Sequence, residues 1–298
     1  MRLGIVTATL DWGRASGCVI SWLGMATGPL HLYIVGQGKR NEGWTAVTPK
    51  DLPGQVTMQG FMSKEILGVV PAFAIGVQQA LRDGCSIIAC LHDDLEIFTR
   101  GWDQQVINTF KTCPRAGLLG FGGGKGLGAA DIYRTPYNPM QLAREQFISN
   151  MRDAEAHGQR SESAQPVACL DGFSQIGLRE YWRGVPHLMK TPEPPTIPAK
   201  AHNLFEAMEL LGIIHHAYDA ALGAYAKQLG YQVWFIPVAC HHYGGRTAVA
   251  DTRYHDWASN YQYEDQETGR GGQGDQGFWE KSHRVVYELF RSVLPIRT

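Results

Sequence analysis

No two of the six cysteines (Cys18, Cys85, Cys90, Cys113, Cys169 and Cys240) form a Cys-x-x-Cys pair, which excludes the common zinc-ribbon and dithiol motifs. Set mostly among apolar neighbours, they read as reduced, buried thiols of a cytoplasmic protein rather than as a disulfide framework. Long hydrophobic runs are missing too. None approaches the roughly 20 residues of a membrane span. Met1-Arg2-Leu3-Gly4-Ile5-Val6 is expected to lead straight into a strand, too short for the apolar stretch of a secretion signal. An excess of either charge is also lacking: 27 Lys and Arg face 28 Asp and Glu across 298 residues, a net charge of −1. Without a basic stripe, avid non-specific binding to duplex nucleic acid is not expected, although a local groove stays open. The sequence shows no internal repeat. The run Gly122–Gly128 lacks the Ser or Thr after Lys125 that a Walker A loop needs, and it fits a dinucleotide fingerprint only loosely. It reads as a turn near the site, where backbone approaches a ligand closely.

What is present is a large apolar fraction, 44%, ample for a sizeable core in one large α/β domain or two small ones. Buried strands are expected over residues 3–8, 30–35, 86–91, 116–121, 167–173 and 231–240. Helices are expected over 18–25, 72–81, 102–110, 219–229 and 278–294. Strands alternating with helices at this spacing imply a mostly parallel sheet with helices on both faces. The polar stretch 133–166 reads as an excursion over the site, carrying Arg134, Arg144, Arg152 and Arg160. Four prolines between Pro192 and Pro198 mark a rigid connector. Tyr181 and Trp182 read as core. Beyond residue 246 the chain turns polar and Gly-rich before its last amphipathic helix.

The most informative stretch is Ser86-Ile87-Ile88-Ala89-Cys90-Leu91-His92-Asp93-Asp94-Leu95-Glu96. An apolar strand ends abruptly in three carboxylates within four residues. In open α/β sheets ligands bind at such strand ends. Hard oxygen donors this close suit Mg²⁺ or Mn²⁺, and the same cation can neutralise a diphosphate. If the strand continues, side chains alternate, so Asp94 and Glu96 share one face and Asp93 takes the other. The bland alternative is an acidic turn capping the next helix.

His241-His242 ends the last expected strand, where neighbours face opposite ways and at most one joins a metal site. Asp219, after His215-His216-Ala217-Tyr218, stands at a helix start. It is an N-cap, a general base, or both. Asp171-Gly172 ends another strand and would by itself be an ordinary turn.

In this order the motifs Leu91-His92-Asp93-Asp94-Leu95-Glu96, Leu170-Asp171-Gly172-Phe173, Tyr218-Asp219, Gly230-Tyr231-Gln232-Val233 and His241-His242-Tyr243-Gly244-Gly245 resemble a GT-A glycosyltransferase of the family 2 kind, over roughly residues 1–245. The resemblance implies a Rossmann-like α/β fold. It implies a nucleotide-sugar-binding half over 1–97, an acceptor and catalytic half over 98–245, and a C-terminal extension over 246–298. It makes Asp94 the metal-binding carboxylate, with Glu96 a second ligand or water holder, and Asp219 the catalytic base. His241, by spacing, reaches metal or diphosphate, with His242 the alternative. Donor contacts fall to Thr7, Thr9, Gln37, Asp93 and Asp171. The pattern departs in three places. Gln37 stands where the family usually has an Asp, Phe73-Ala74-Ile75-Gly76 replaces the usual Arg-Asn before a helix Gly, and Tyr218 replaces a Glu.

The resemblance thus implies a cytoplasmic, Mn²⁺- or Mg²⁺-dependent inverting glycosyltransferase with a nucleotide-sugar donor. The acceptor stays open: a saccharide, a lipid-linked sugar, a protein or a modified nucleobase. Three rivals are a nucleotidyltransferase of related fold, a non-catalytic nucleotide-sugar-binding relative and a metal-dependent phosphohydrolase. The first ordinarily needs a basic Gly-rich loop after the first strand, and Thr9 to Gly17 holds only Arg14.

Overall fold

The computed structural model describes residues 1–38, 56–128, 147–152, 158–184, 201–244, 252–264, 271–294 and 296–298. In chain order the strands of the first half are β1 (Leu3–Thr9), β2 (Leu30–Gln37), β3 (Val56–Ser63), β4 (Ile87–Leu91), β5 (Leu95–Ile97), β6 (Ala116–Gly120), β7 (Gly122–Gly124) and β8 (Gly126–Leu127). Those of the second half are β9 (Phe147–Ser149), β10 (Gln165–Val167), β11 (Cys169–Leu170), β12 (Ser174–Leu178), β13 (Gln232–Phe235), β14 (Cys240–His242), β15 (Gln262–Glu264), β16 (Gly271–Gln273) and β17 (Ile296–Arg297). The described helices are α1 (Trp12–Met25), α2 (Val69–Arg82), α3 (Trp102–Thr112), α4 (Arg179–Trp182), α5 (Leu204–Leu210), α6 (Tyr218–Gln228), α7 (Thr252–Ser259) and α8 (Asp275–Phe290).

Eight strands form the central sheet in the order β10-β13-β6-β12-β4-β1-β2-β3. β3, β2, β1 and β4 are parallel, as are β6 and β13; β12 runs against both its neighbours, and β10 against β13. The order 3-2-1-4 is that of half a doubly wound nucleotide-binding fold. Such strands are covered on both faces and are therefore apolar throughout: every residue of Ile87-Ile88-Ala89-Cys90-Leu91 is buried. One layer of core packs α2, α5, α6 and α8 on one face, around Phe73, Phe205, Tyr225 and Phe290. A second packs α1 and α3 on the other, around Trp22, Trp102 and Phe110. The expected class, α/β with a mostly parallel sheet and helices on both faces, is the one observed. Tyr181 and Trp182 are fully buried, as expected; their polar tips donate to the carbonyls of Leu222 (2.6 Å) and Ile88 (3.1 Å).

Element boundaries differ from the sequence expectation in physically instructive ways. α1 begins at Trp12 rather than Cys18. The Asp11 carboxylate accepts from the Gly13 N–H at 2.9 Å, a side-chain cap, while Gly13 and Gly17 obscure the helical pattern because glycine is a poor helix former. The expected strand 167–173 divides into β10, β11 and a turn, and the sheet strand β12 starts only at Ser174. The expected strand 231–240 stops at Phe235. Pro237 has no N–H to continue a ladder, and the chain resumes as β14 against β5. β3, a parallel edge strand, was not anticipated. The six cysteines are free thiols. Among the described residues no helix is long and apolar enough to cross a membrane.

Arg134, Arg144 and the Pro192–Pro198 connector lie outside the described residues, as does the expected boundary near residue 245. Past it, Val286 and Phe290 of α8 join the main core. Leu10, Tyr254, Ala258 and Phe278 form a small separate cluster with Trp257 and Tyr261 against it.

Candidate active site

Because β1, β2 and β4 are parallel, their C-terminal ends emerge on one edge. Thr9 and Gln37 from the first two strands, Leu10 just past the first, and His92-Asp93-Asp94 after the third line one cavity of about 320 Å³. That volume falls at the lower end of the range for small-molecule sites. Asp93 and Asp94 are not on a continuing strand. The Leu95 N–H donates back to the His92 carbonyl at 3.3 Å, closing a turn, and the chain then runs away as β5. Both carboxylates are buried and both line the cavity. The alternation expected for Asp93, Asp94 and Glu96 therefore does not apply.

Three neighbouring segments complete the walls. The His92 N–H donates to the Phe173 carbonyl at 3.0 Å, which sets the Asp171-Gly172 turn beside the acidic one. β14 pairs antiparallel with β5, His242 opposite Leu95 and His241 opposite Glu96. That register carries His242 Nε2 to 3.1 Å from Asp94 Oδ1. From the far side the N-terminal turn of α6 presents Tyr218 and Asp219. Gly172 is required where it sits, since an added Cβ would lie 2.5 Å from the Tyr218 hydroxyl oxygen.

The Tyr218 hydroxyl joins these parts. It donates to the Gly172 carbonyl at 3.0 Å and so, with one proton, must accept from His92 Nε2 at 2.6 Å. His92 is thereby held as the Nε2–H tautomer with its Nδ1 lone pair free. Nδ1 lies 4.0 Å from Asp94 Oδ1. One ligand atom each from His92, Asp94 and His242 lies within 4.8 Å of the others. The donor set suits a divalent cation, with Tyr218 orienting one imidazole from outside.

Four carboxylates, Asp93, Asp94, Asp171 and Asp219, line the cavity, and among the described residues no Lys or Arg lines it. Burial, then the Asp171 charge, pushes the Asp219 carboxyl up to about 6. Burial, with a contribution from His242, lowers His92 to about 4, so it is neutral. Burial pulls His242 down as well, but the hydrogen bond to Asp94 and the charges of Asp94, Asp171 and Asp93 outweigh it, and the net shift is upward.

Of the residues singled out from sequence, Thr9, Gln37, Asp93, Asp94, Asp171, Asp219 and His242 meet in this cavity. Glu96 and His241 lie on the paired strands β5 and β14 and are not among its lining residues; the His241 ring packs against Tyr243 at 4.3 Å. Thr7 is fully buried on β1 beneath the lining residues. The Gln37 side-chain Oε1 accepts from the Leu67 and Gly68 N–H groups at 2.7 and 3.1 Å, holding the entry to α2. Arg152 and Arg160 are not among the cavity residues either: Arg152 lies over the Phe98 ring at 3.5 Å, and Arg160 donates to the Arg152 carbonyl at 3.2 Å. Sequence reasoning missed His92, Tyr218, His215, His216 and Tyr254 as lining residues. His92 was legible, adjacent to the acidic pair; Tyr254 carried no signal, since it arrives from α7.

The fold and the site together define a class: an α/β protein whose half-Rossmann sheet opens a carboxylate- and imidazole-lined cleft at its C-terminal strand ends. Neither a protein-family model nor a curated protein matches the chain by sequence. Among solved structures it is similar to S. aureus TarS, residues 1–349, in complex with UDP-GlcNAc, at 10% identity and a TM-score of 0.48, over 80% of this chain and 56% of that one. It is also similar to the mannosyltransferase PcManGT from Pyrobaculum calidifontis in complex with GDP-Man and Mn²⁺, at 14% identity and a TM-score of 0.45, over 97% of this chain and 69% of that one. The chain spans less than two thirds of the TarS 1–349 chains it matches, 58% in one and 56% in another.

Proposed function

We propose that this protein is a metal-dependent, inverting glycosyltransferase that moves a sugar from a nucleotide-diphosphate sugar to an acceptor hydroxyl. One observation carries the reading: four carboxylates and the imidazoles of His92 and His242 gather in one cavity at the C-terminal strand ends. A divalent cation would offset the repulsion between these carboxylates and a diphosphate. His92, Asp94 and His242 are the residues to hold it, and a set with two imidazoles favours Mn²⁺ over Mg²⁺. A bound divalent ion would offset charge developing on the departing diphosphate.

In this reading the donor half is residues 1–97 and the acceptor half 98–245. Thr9, Gln37 and Asp93 line the nucleoside end. Asp219 accepts the proton of the acceptor hydroxyl as its oxygen attacks the anomeric carbon. The bond from that carbon to the diphosphate oxygen breaks in line, and the nucleoside diphosphate departs with the electron pair. Burial, and then the charge of Asp171, keeps Asp219 basic enough to act near neutral pH. The acceptor is a hydroxyl compound of unassigned class.

The test has two arms. Thermal denaturation with a panel of nucleotide sugars and Mn²⁺ should show a shift of several degrees for one nucleotide. Asp219→Asn should retain that shift while transfer falls about 10²–10⁴-fold. No shift with any donor, or undiminished transfer by the variant, overturns the proposal.

A further inference from the structure

We propose that His215, His216 and Asp275 form a second divalent-metal site, suited to Zn²⁺, tying α8 to the turn that carries Asp219. These three offer ligand atoms all within 4.8 Å of one another, as a group separate from His92, Asp94 and His242. His216 Nε2 and Asp275 Oδ1 are 2.7 Å apart, so one shared proton occupies the place a cation would take. The Tyr254 hydroxyl donates to the same Asp275 oxygen, the kind of outer partner that fixes a ligating carboxylate.

The third member is incomplete without a ligand. His215 Nδ1 is buried and has no hydrogen-bond partner among the described residues. Its ring packs against Tyr254 at 5.0 Å and Trp257 at 6.2 Å between ring centres, both on α7. Two imidazoles and one carboxylate with open positions are a set that Zn²⁺ accepts. Asp275 is half-exposed, which leaves a path for the ion and for a water ligand.

The position gives the site a consequence. His215 and His216 immediately precede Ala217, whose φ of 59° is in the left-handed region, and then Tyr218 and Asp219. A cation bound there would fasten that turn to a helix nearly 60 residues further along the chain. The site does not depend on the glycosyl-transfer reading, and its test does not use turnover.

The experiment is a Co²⁺ titration of metal-free full-length protein in an Asp94→Asn/His242→Gln background, which disables the first cluster. One equivalent of Co²⁺ should develop visible absorption, and Zn²⁺ should displace it and raise the melting temperature. Adding His216→Gln or Asp275→Asn should weaken Co²⁺ binding at least tenfold. His216→Gln keeps the volume of a partly exposed side chain and so serves if Asp275→Asn does not fold. Absence of Co²⁺ binding in the double variant, or affinity unchanged by His216→Gln, overturns the proposal.

Discussion

Asp219 illustrates how burial makes a residue useful. Its carboxyl sits at about 6 rather than 3.8, because burial and the Asp171 charge both oppose ionisation. If it is the base, kcat/KM should fall tenfold per pH unit below about pH 6 and level off above it, as a pH–rate profile would show. The same shift has a stability sign. A raised folded-state value favours folding most when the group is protonated, below its ordinary 3.8, and that contribution is lost as pH rises through about 6. Asp219→Asn should therefore be more stable than the parent at pH 8, by roughly 1–3 kcal/mol, with the difference fading at pH 4. Tyr218 acts through others. Tyr218→Phe strips the partner from His92 Nε2 and from the Gly172 carbonyl, both inside the fold. A loss of about 1–3 kcal/mol in chemical denaturation should accompany a 10–100-fold weaker Mn²⁺ affinity in a metal titration. The second effect separates a ligand-orienting role from packing alone.

At the scale of elements, the site depends on where helices and strands are made to stop. α6 is preceded by Ala217, an N-cap in a left-handed conformation that makes no side-chain cap, the single non-glycine described residue of that kind. Alanine there costs about 1 kcal/mol relative to a conformation it prefers, and strain of this kind is held at functional sites by the surrounding structure. Ala217→Gly should raise stability by about 0.5–1 kcal/mol in denaturant titration, while transfer falls as the Asp219 turn loosens. The acidic turn is braced from behind in the same manner. The Trp22 indole donates to the Leu95 carbonyl at 2.6 Å and the Ile97 N–H to Ser21 Oγ at 3.1 Å, so α1 holds β5 in place. β5 in turn sets the register that delivers His242 rather than His241.

For the whole molecule, the late segments are part of the site's walls. Tyr254 of α7 lines the cavity beside Leu10 of the β1–α1 connection. Arg253 donates to the Leu10 carbonyl at 2.9 Å. Behind them Phe278 stacks on Tyr261 at 3.8 Å and on Trp257 at 4.8 Å between ring centres. Phe278→Ala should cost about 3–5 kcal/mol. It should also raise the donor Kd in the thermal-shift titration, although the residue does not line the cavity. Unaltered donor affinity in a folded Phe278→Ala protein would show that the extension leaves the site alone.

Much of this was legible from residue order. Apolar runs such as Ile87–Leu91 declare parallel strands because both faces must be covered, and carboxylates at the end of such a strand declare a cation or phosphate site, since their repulsion needs an offset. Asp93 and Asp94, chosen on those grounds, share one cavity with Thr9, Gln37, Asp171, Asp219 and His242, to which the family resemblance also pointed. What local pattern could not decide was direction and partnership. Whether Asp94 shares a face with Glu96 depends on the chain turning after His92. Which histidine faces Asp94 depends on the pairing of β14 with β5, two strands some 140 residues apart. That His92 offers Nδ1 depends on a tyrosine hydroxyl from α6, and the His215–His216–Asp275 cluster on a helix late in the chain. Sequence by itself determined which side chains were available and at which strand ends. Only the tertiary structure decided which of them meet, because hydrogen bonds and register between distant segments set the angle at which each side chain arrives.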